Sequence, residues 1–236
     1  MTSERRGVVL LSGGLDSAVV LAMARSEGYA MYALTIGYGQ RHSQELIAAR
    51  RVAEALHAER QIVVNLDLRQ WGGSALTGSD TVPINRDTAE MGVDIPITYV
   101  PGRNTIFLST AMAWAETLGT GEVFIGAHIH DYSGYPDCRP DYFQAFERMA
   151  DLATRTGVEG QTRFSIHAPL LKMNKTEIVR TGARLHVPFE LTSSCYQPTA
   201  DLRACGVCDS CILRLRAFAE AGVHDPISYV GGTSHP

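Results

Sequence analysis

A short apolar run, Val8-Val9-Leu10-Leu11, passes directly into Ser12-Gly13-Gly14-Leu15-Asp16-Ser17, and apolar residues at helical spacing follow at Ala18, Val19, Leu21, Ala22 and Met23. That order is a strand, a glycine turn and a helix start. Adjacent glycines let the backbone take positive φ and approach a ligand closely, while the free amides and positive dipole end of the first helical turn face any anion there. Leu11 to Ser17 therefore reads as a pyrophosphate-binding loop. A Walker loop would need a lysine near Asp16, and a dinucleotide fingerprint would need G-x-G-x-x-G; neither is present. Ser12 and Ser17 can donate hydroxyls to phosphate oxygens, and Asp16 can orient a magnesium ion or cap the helix. The bland alternative is a glycine-rich turn with a serine cap.

Further β-branched or apolar runs at 31–36, 61–66, 97–100 and 123–127 alternate with helical patterns at 15–27, 43–56, 104–118, 139–154 and 175–185. Such alternation predicts an α/β fold with a doubly wound, mainly parallel sheet. Ligands bind such sheets at the carboxyl ends of the strands, and the loops 12–17, 38–42, 102–104 and 128–137 are expected there. The stretch 71–96, rich in Gly, Ser, Thr, Asp and Pro, predicts a long loop of the kind that often forms a lid. With 236 residues the chain can bury a sizeable core, and we expect a nucleotide-binding α/β domain over 1–190 with a small metal-binding segment over 191–236 packed on it.

A formal net charge of −4 gives no electrostatic footprint of a nucleic-acid binder, so a small polar substrate is expected and stable nucleic-acid binding is not. No secretory signal pattern is visible, and no apolar stretch approaches the roughly 18 residues needed to span a bilayer. A cytoplasmic protein without a membrane partner is the expectation. In a reducing compartment Cys195, Cys205, Cys208 and Cys211 read as a metal site before they read as disulfides. Their pattern is C-x9-C-x2-C-x2-C, with Gly206 to turn the chain tightly. Four thiolates can hold zinc tetrahedrally; an iron–sulfur cluster or a redox-active C-x-x-C pair can use similar spacing. A closed four-cysteine zinc site has no open coordination position, so it would hold the chain end and shape the pocket. Cys138 stands apart, either a small buried packing residue or a nucleophile with a depressed pKa.

The glycine loop resembles the PP-loop of the N-type ATP pyrophosphatases, which adenylate a substrate and release pyrophosphate. Taken with Tyr38-Gly-Gln-Arg-His42, Val100-Pro-Gly-Arg-Asn104, Asp131-Tyr-Ser-Gly-Tyr-Pro-Asp-Cys-Arg139 and the cysteine-rich end, it resembles the QueC family, the 7-cyano-7-deazaguanine synthases, over about 8–216. Leu15 stands where many relatives have Gln, and the stretch 127–130 is variable among them. The resemblance implies a PP-loop fold and a carbon–nitrogen ligase that uses ATP, Mg²⁺ and bound Zn²⁺ to turn 7-carboxy-7-deazaguanine and ammonia into the nitrile. A PP-loop tRNA thiolase, a non-catalytic nucleotide-binding module, and a relative passing the activated deazapurine to another acceptor are the rival readings. A homodimer is the expected assembly, although no residue pattern carries it.

Adenylation turns a carboxylate oxygen into a leaving group, ammonia can then attack, and a second activation of the amide oxygen leaves a nitrile. Both activations build charge on phosphates, which calls for amides, Mg²⁺ and cations rather than a strong nucleophile. Leu11, Ser12, Gly13, Gly14, Leu15, Asp16, Ser17 and Arg103 are the expected nucleotide contacts. Asp16, Arg41, His42 and Lys175 are the expected catalytic set, with solvated surface charge as the alternative for Arg41 and Lys175. His42 could shuttle a proton or merely begin the next helix. Tyr38, Asp131, Tyr132, Ser133, Tyr135 and Asp137 would grip the base by stacking and by accepting from its amino edge; the tyrosines could equally be a packed loop. His128 and His130 lack nearby partners for a metal pair and read as ordinary residues.

Overall fold

The computed structural model describes residues 4–39, 44–70, 72–78, 81–86, 95–128, 135–199, 201 and 203–232. Five strands form one parallel sheet in the order β3-β2-β1-β4-β5: β1 (Arg5–Leu10), β2 (Tyr29–Gly37), β3 (Arg60–Asn65), β4 (Glu122–Phe124) and β5 (Ser165–His167). Between them run α1 (Leu15–Ser26), α2 (Gln44–Ala55), α3 (Arg103–Thr117), α4 (Pro140–Ala153) and the short α5 (Arg155–Val158), and α6 (Lys175–Arg184) and α7 (Asp209–Ala221) follow.

Side chains alternate across a strand, so β1 sends Val9 to one face and Val8 and Leu10 to the other, all of them buried. The Val9 face is covered by α1, α2, α6 and α7, through residues such as Leu21, Val52, Ile178 and Phe218. The Val8 face is covered by α3 and α4, through Leu108, Ala111, Phe143 and Phe146. Burial on both faces explains why the strands read as unbroken apolar runs rather than as alternating ones. No described helix is long and apolar enough to cross a membrane.

Two expectations fail. The run 97–100 is not a strand: Ile97-Thr98-Tyr99-Val100 lies between Pro96 and Pro101 and forms a turn in which Tyr99 N–H donates to the Pro96 carbonyl. A preceding proline lacks a ladder donor and a following one restrains Val100, so the pair brackets a turn rather than a strand. Thr98 and Val100 are buried nonetheless. The place beside β4 is taken by β5, whose three residues, Ser165-Ile166-His167, are too short to register as a run. Consequently the loop 102–104 follows a turn, not a strand end. The sequence reading also omits α7, although Leu215 and Phe218 lie one turn apart and Gly222 closes the helix in the left-handed region.

The part of 71–96 that is described does form a loop. It docks on the cysteine-rich segment: Ile84 bridges Cys208, Asn85 N–H donates to the Val207 carbonyl at 2.8 Å, and Arg86 reaches the buried Asp209 at 3.1 Å. The core carries a simple expectation. Leu21, fully buried under α1, should cost about 2–5 kcal/mol when cut to Ala, read as a lower urea midpoint with an unchanged slope.

Candidate active site

The sheet changes winding direction between β1 and β4, where a parallel sheet opens a crevice at its carboxyl edge. The loop after β1 lies there. Gly13 has φ +85°, and a Cβ on it would sit 2.5 Å from both Glu45 O and Ala49 N of α2, so only glycine fits. Gly14, extended, precedes α1. The two serines hold the loop in shape: Ser12 N–H donates to Ser17 Oγ at 3.2 Å, Ser17 Oγ donates to the Gly14 carbonyl at 3.1 Å, and Gly14 N–H donates to Ser12 Oγ at 3.2 Å. Leu11 is buried in the core, whereas Ser12, Gly14, Leu15, Asp16 and Ser17 line a cavity of about 290 Å³. That is the low end for a small-molecule site.

Lys175 reaches this loop from 159 residues away. It opens α6, whose start is fixed by a capping box between Asn174 and Glu177, and its Nζ donates to both Asp16 oxygens at 2.7 and 2.6 Å. His128 Nε2, just beyond β4, lies 3.5 Å from the same carboxylate. Burial alone would raise the Asp16 pKa, but the Lys175 ammonium and His128 outweigh it and hold the carboxyl well below its usual range.

A second cation enters from the other side. Gly102 turns the chain at φ +66°, and Arg103 begins α3 against the cavity. Its burial disfavours the charge, yet Tyr38, Tyr135, Asp137 and Cys138 around it keep the guanidinium protonated. Arg103 hydrogen-bonds the Tyr38 hydroxyl, whose pKa burial pushes up to about 12. Tyr135 lines the cavity and stacks obliquely on Tyr99 at 5.6 Å. Asp137 faces the protein: its Oδ2 accepts from Asn104 N–H at 3.0 Å, and its carbonyl accepts from Asn104 Nδ2 at 3.2 Å. It thereby caps α3 and seats Arg103. Burial pushes the Cys138 thiol up to about 11 and Asn104 Nδ2 donates to its sulfur, so it is a neutral packing thiol.

The third wall is the segment around the first cysteine of the cluster. Ser193, Ser194, Cys195 and Tyr196 line the cavity, and Ser193 N–H donates to the Gly13 carbonyl at 2.9 Å. Behind them the sulfurs of Cys195, Cys205, Cys208 and Cys211 all lie within 4.8 Å of one another. A tetrahedral ion with metal–sulfur bonds of about 2.3 Å needs sulfurs about 3.8 Å apart, and Cys205 and Cys211 stand at 3.9 Å. Backbone N–H groups of Gln197 and Cys205 donate to Cys195 Sγ, and those of Val207 and Cys208 to Cys205 Sγ. These are the bonds thiolates require. The donor set fits a metal ion.

The structure thus brings together Ser12 to Ser17, Arg103, Lys175, Tyr38 and Tyr135. Arg41, His42, Asp131, Tyr132 and Ser133 lie outside the described residues. Sequence reasoning misses His128 as a site residue because it weighs it only as half of a metal pair with His130, and misses Ser193 and Ser194 because a polar pair in an irregular segment has no periodic signal.

A phosphate loop at the switch point, two cations beside it and a metal-competent cysteine end define an α/β protein of the nucleotide-using kind. The chain matches the family model described as queuosine biosynthesis protein QueC over residues 6–222, and it belongs to that family. Relatives named 7-cyano-7-deazaguanine synthase include that of Kineococcus radiotolerans, 57% identical over 97% of this chain and 99% of its own. Those of Cupriavidus necator and Desulfatibacillum aliphaticivorans are 58% and 55% identical, over 95% and 96% of this chain and 97% of each relative. Among solved structures, NMN synthetase from Francisella tularensis is similar at a TM-score of 0.49 and 17% identity, over 94% of this chain and 74% of that one.

Two outcomes follow. Because the Asp16 pKa is depressed in the folded state, its pair with Lys175 adds stability above about pH 4 that is lost as pH falls further; Asp16→Asn should flatten the stability–pH curve below about pH 4 in acid unfolding. Cys208→Ser should lose bound metal, measured by elemental analysis, and lower the melting temperature at the same time.

Proposed function

We propose that this chain converts 7-carboxy-7-deazaguanine, ammonia and ATP into 7-cyano-7-deazaguanine, as a carbon–nitrogen ligase of queuosine biosynthesis. The observation that carries the proposal is its membership of the QueC family together with relatives of that activity aligned along nearly the whole chain. The site supports it chemically. The carboxylate of the substrate attacks the α-phosphorus of ATP and pyrophosphate leaves; ammonia displaces AMP from the acyl carbon to give the amide. The amide oxygen then attacks the α-phosphorus of a second ATP and pyrophosphate leaves again; loss of AMP, which carries that oxygen away, and of the two protons on nitrogen leaves the nitrile.

Ser12, Gly14 and Ser17 cradle the phosphates in this scheme, with Lys175 and Arg103 as the cations against which the leaving pyrophosphate develops charge. Mg²⁺ takes oxygen ligands, and Asp16 and Glu45 are the described carboxylates on the cavity wall that suit it; it would neutralise the phosphates. Zn²⁺ suits the four sulfurs and, with no open position, would hold the chain end. Tyr38 and Tyr135, which line the cavity, are the proposed contacts of the heterocycle, and Asp137 would act through Arg103 and α3. On the family motifs that contain them, Arg41 remains in the proposal as a cation, His42 as a proton shuttle, and Asp131, Tyr132 and Ser133 as base contacts. A reducing cytoplasm, where four thiols stay available to a metal, is the setting that fits, and a homodimer is the proposed assembly.

Incubating the metal-loaded protein with 7-carboxy-7-deazaguanine, ATP, Mg²⁺ and ammonium should give amide and then nitrile by mass spectrometry, and absence of both would sink the proposal. Asp16→Asn should remain folded and lose turnover about 10²–10³-fold in the same assay.

A further inference from the structure

Arg214 is the largest fully buried side chain among the described residues, at 1% exposure. A buried charge is costly unless every donor is satisfied, and here all are. Nε and Nη2 donate to the two Asp225 oxygens at 2.8 and 2.9 Å; Nη1 donates to Thr192 Oγ1 at 2.8 Å and Ser194 Oγ at 3.5 Å; Nη2 also donates to the Phe189 carbonyl at 3.3 Å. Five guanidinium donors meet five acceptors. Asp225 is in turn held by the Tyr229 hydroxyl at 2.8 Å and by Ile227 N–H at 3.3 Å, and Phe218 lies under the guanidinium.

The partners that are not Asp225 all belong to one segment, 189–194. This strap has a single 3-10 turn, Phe189–Leu191, and no place in the sheet. It nevertheless forms a wall of the phosphate site through Ser193 and Ser194 and donates Ser193 N–H to the Gly13 carbonyl. An apolar residue could fill the space under the strap with as much stability. What it could not do is fix an irregular segment at three points with one planar fork. Arg214 also lies one helical turn after Cys211 on α7.

We propose that Arg214, oriented by Asp225, is a positioning residue of the nucleotide site: it sets the 189–194 strap against Gly13 and so transmits the position of the cysteine-anchored end to the phosphate loop. It touches no substrate. The proposal rests on reading this cavity as the ATP site.

Thr192→Val tests it without stranding the buried charge, since Asp225, Ser194 and Phe189 remain as partners. ATP affinity is measured by equilibrium dialysis in the absence of the deazapurine, with metal content and melting temperature alongside. The expected result is metal content as in the wild type and ATP affinity weaker by about five- to tenfold, the worth of one net hydrogen bond, with kcat at saturating ATP within about twofold. Arg214→Lys should weaken ATP further. Tyr229→Phe, which removes one hydrogen bond to Asp225 and leaves every bond of Arg214 and of the strap in place, should lower the melting temperature and leave ATP affinity unchanged. Wild-type ATP affinity in Thr192→Val overturns the proposal, and so does an equal loss in Tyr229→Phe. If Arg214→Lys does not fold, Thr192→Val and Tyr229→Phe decide. An unmodified protein that binds no ATP overturns both this and the reading of the cavity. No nitrile from a protein that binds ATP normally counts against the substrate reading alone, and the affinity comparison still stands.

Discussion

The site depends on how closely Gly13 approaches its neighbours. Its α-carbon faces the α2 backbone, with Glu45 O and Ala49 N only 2.5 Å from where a Cβ would be, and its carbonyl receives Ser193 N–H at 2.9 Å. Two parts of the chain, α2 and the strap, therefore converge on one residue with no side chain. The backbone is the only surface small enough to let them meet, and the positive φ that glycine permits turns the following amides toward the crevice. A phosphate loop is usually described by what it offers the ligand. Here its shape is held from behind, by a helix on one side and a strap on the other.

That arrangement gives the cysteine cluster a reason to lie close to a nucleotide site while having no open coordination position. Cys195 directly follows the strap, and Cys211 lies in the first turn of the helix that carries Arg214. A metal bound there would fix both ends of a short lever whose middle touches Gly13. The loop 81–86 adds a further tie, since Arg86 and Asn85 dock on Asp209 and Val207 beside the cluster.

Parts of this were legible in the residues alone, for identifiable reasons. The β1–loop–α1 unit is readable because it is local: an apolar run, a glycine turn and a helical period follow one another within 20 residues. The four cysteines are readable because ligand spacing is also local. Short β5 is not, since three residues carry no period. The false strand at 97–100 shows β-branched residues responding to burial, as Thr98 and Val100 do, without joining a ladder. Ser193 and Ser194 are held by a backbone hydrogen bond to Gly13 across 180 residues and by the buried Arg214, and Lys175 meets Asp16 across 159. Arg214 is the hardest to see: an arginine in a helix normally reads as a solvated charge, and only the acceptors gathered around it reveal a buried one.

The balance of charge in the crevice bears on what chemistry it can support. Lys175 is matched by Asp16, whose carboxylate His128 also approaches, whereas Arg103 is set among tyrosines and beside Asp137, whose Oδ2 is occupied by the start of α3. The cavity therefore presents cations held by their surroundings but not extinguished by them, which suits a polyphosphate whose charge grows as a bond to phosphorus breaks. Cys138 on its wall is held neutral by burial and accepts from Asn104, so that residue offers no thiolate. In an adenylating reaction none is needed, because the nucleophile toward ATP is the substrate's own carboxylate and the nucleophile toward the activated carbon is ammonia. A site whose described residues supply shape, amides and cations, with its nearby thiol kept neutral, suits the proposed route, in which the acyl adenylate is left for the smaller attacker.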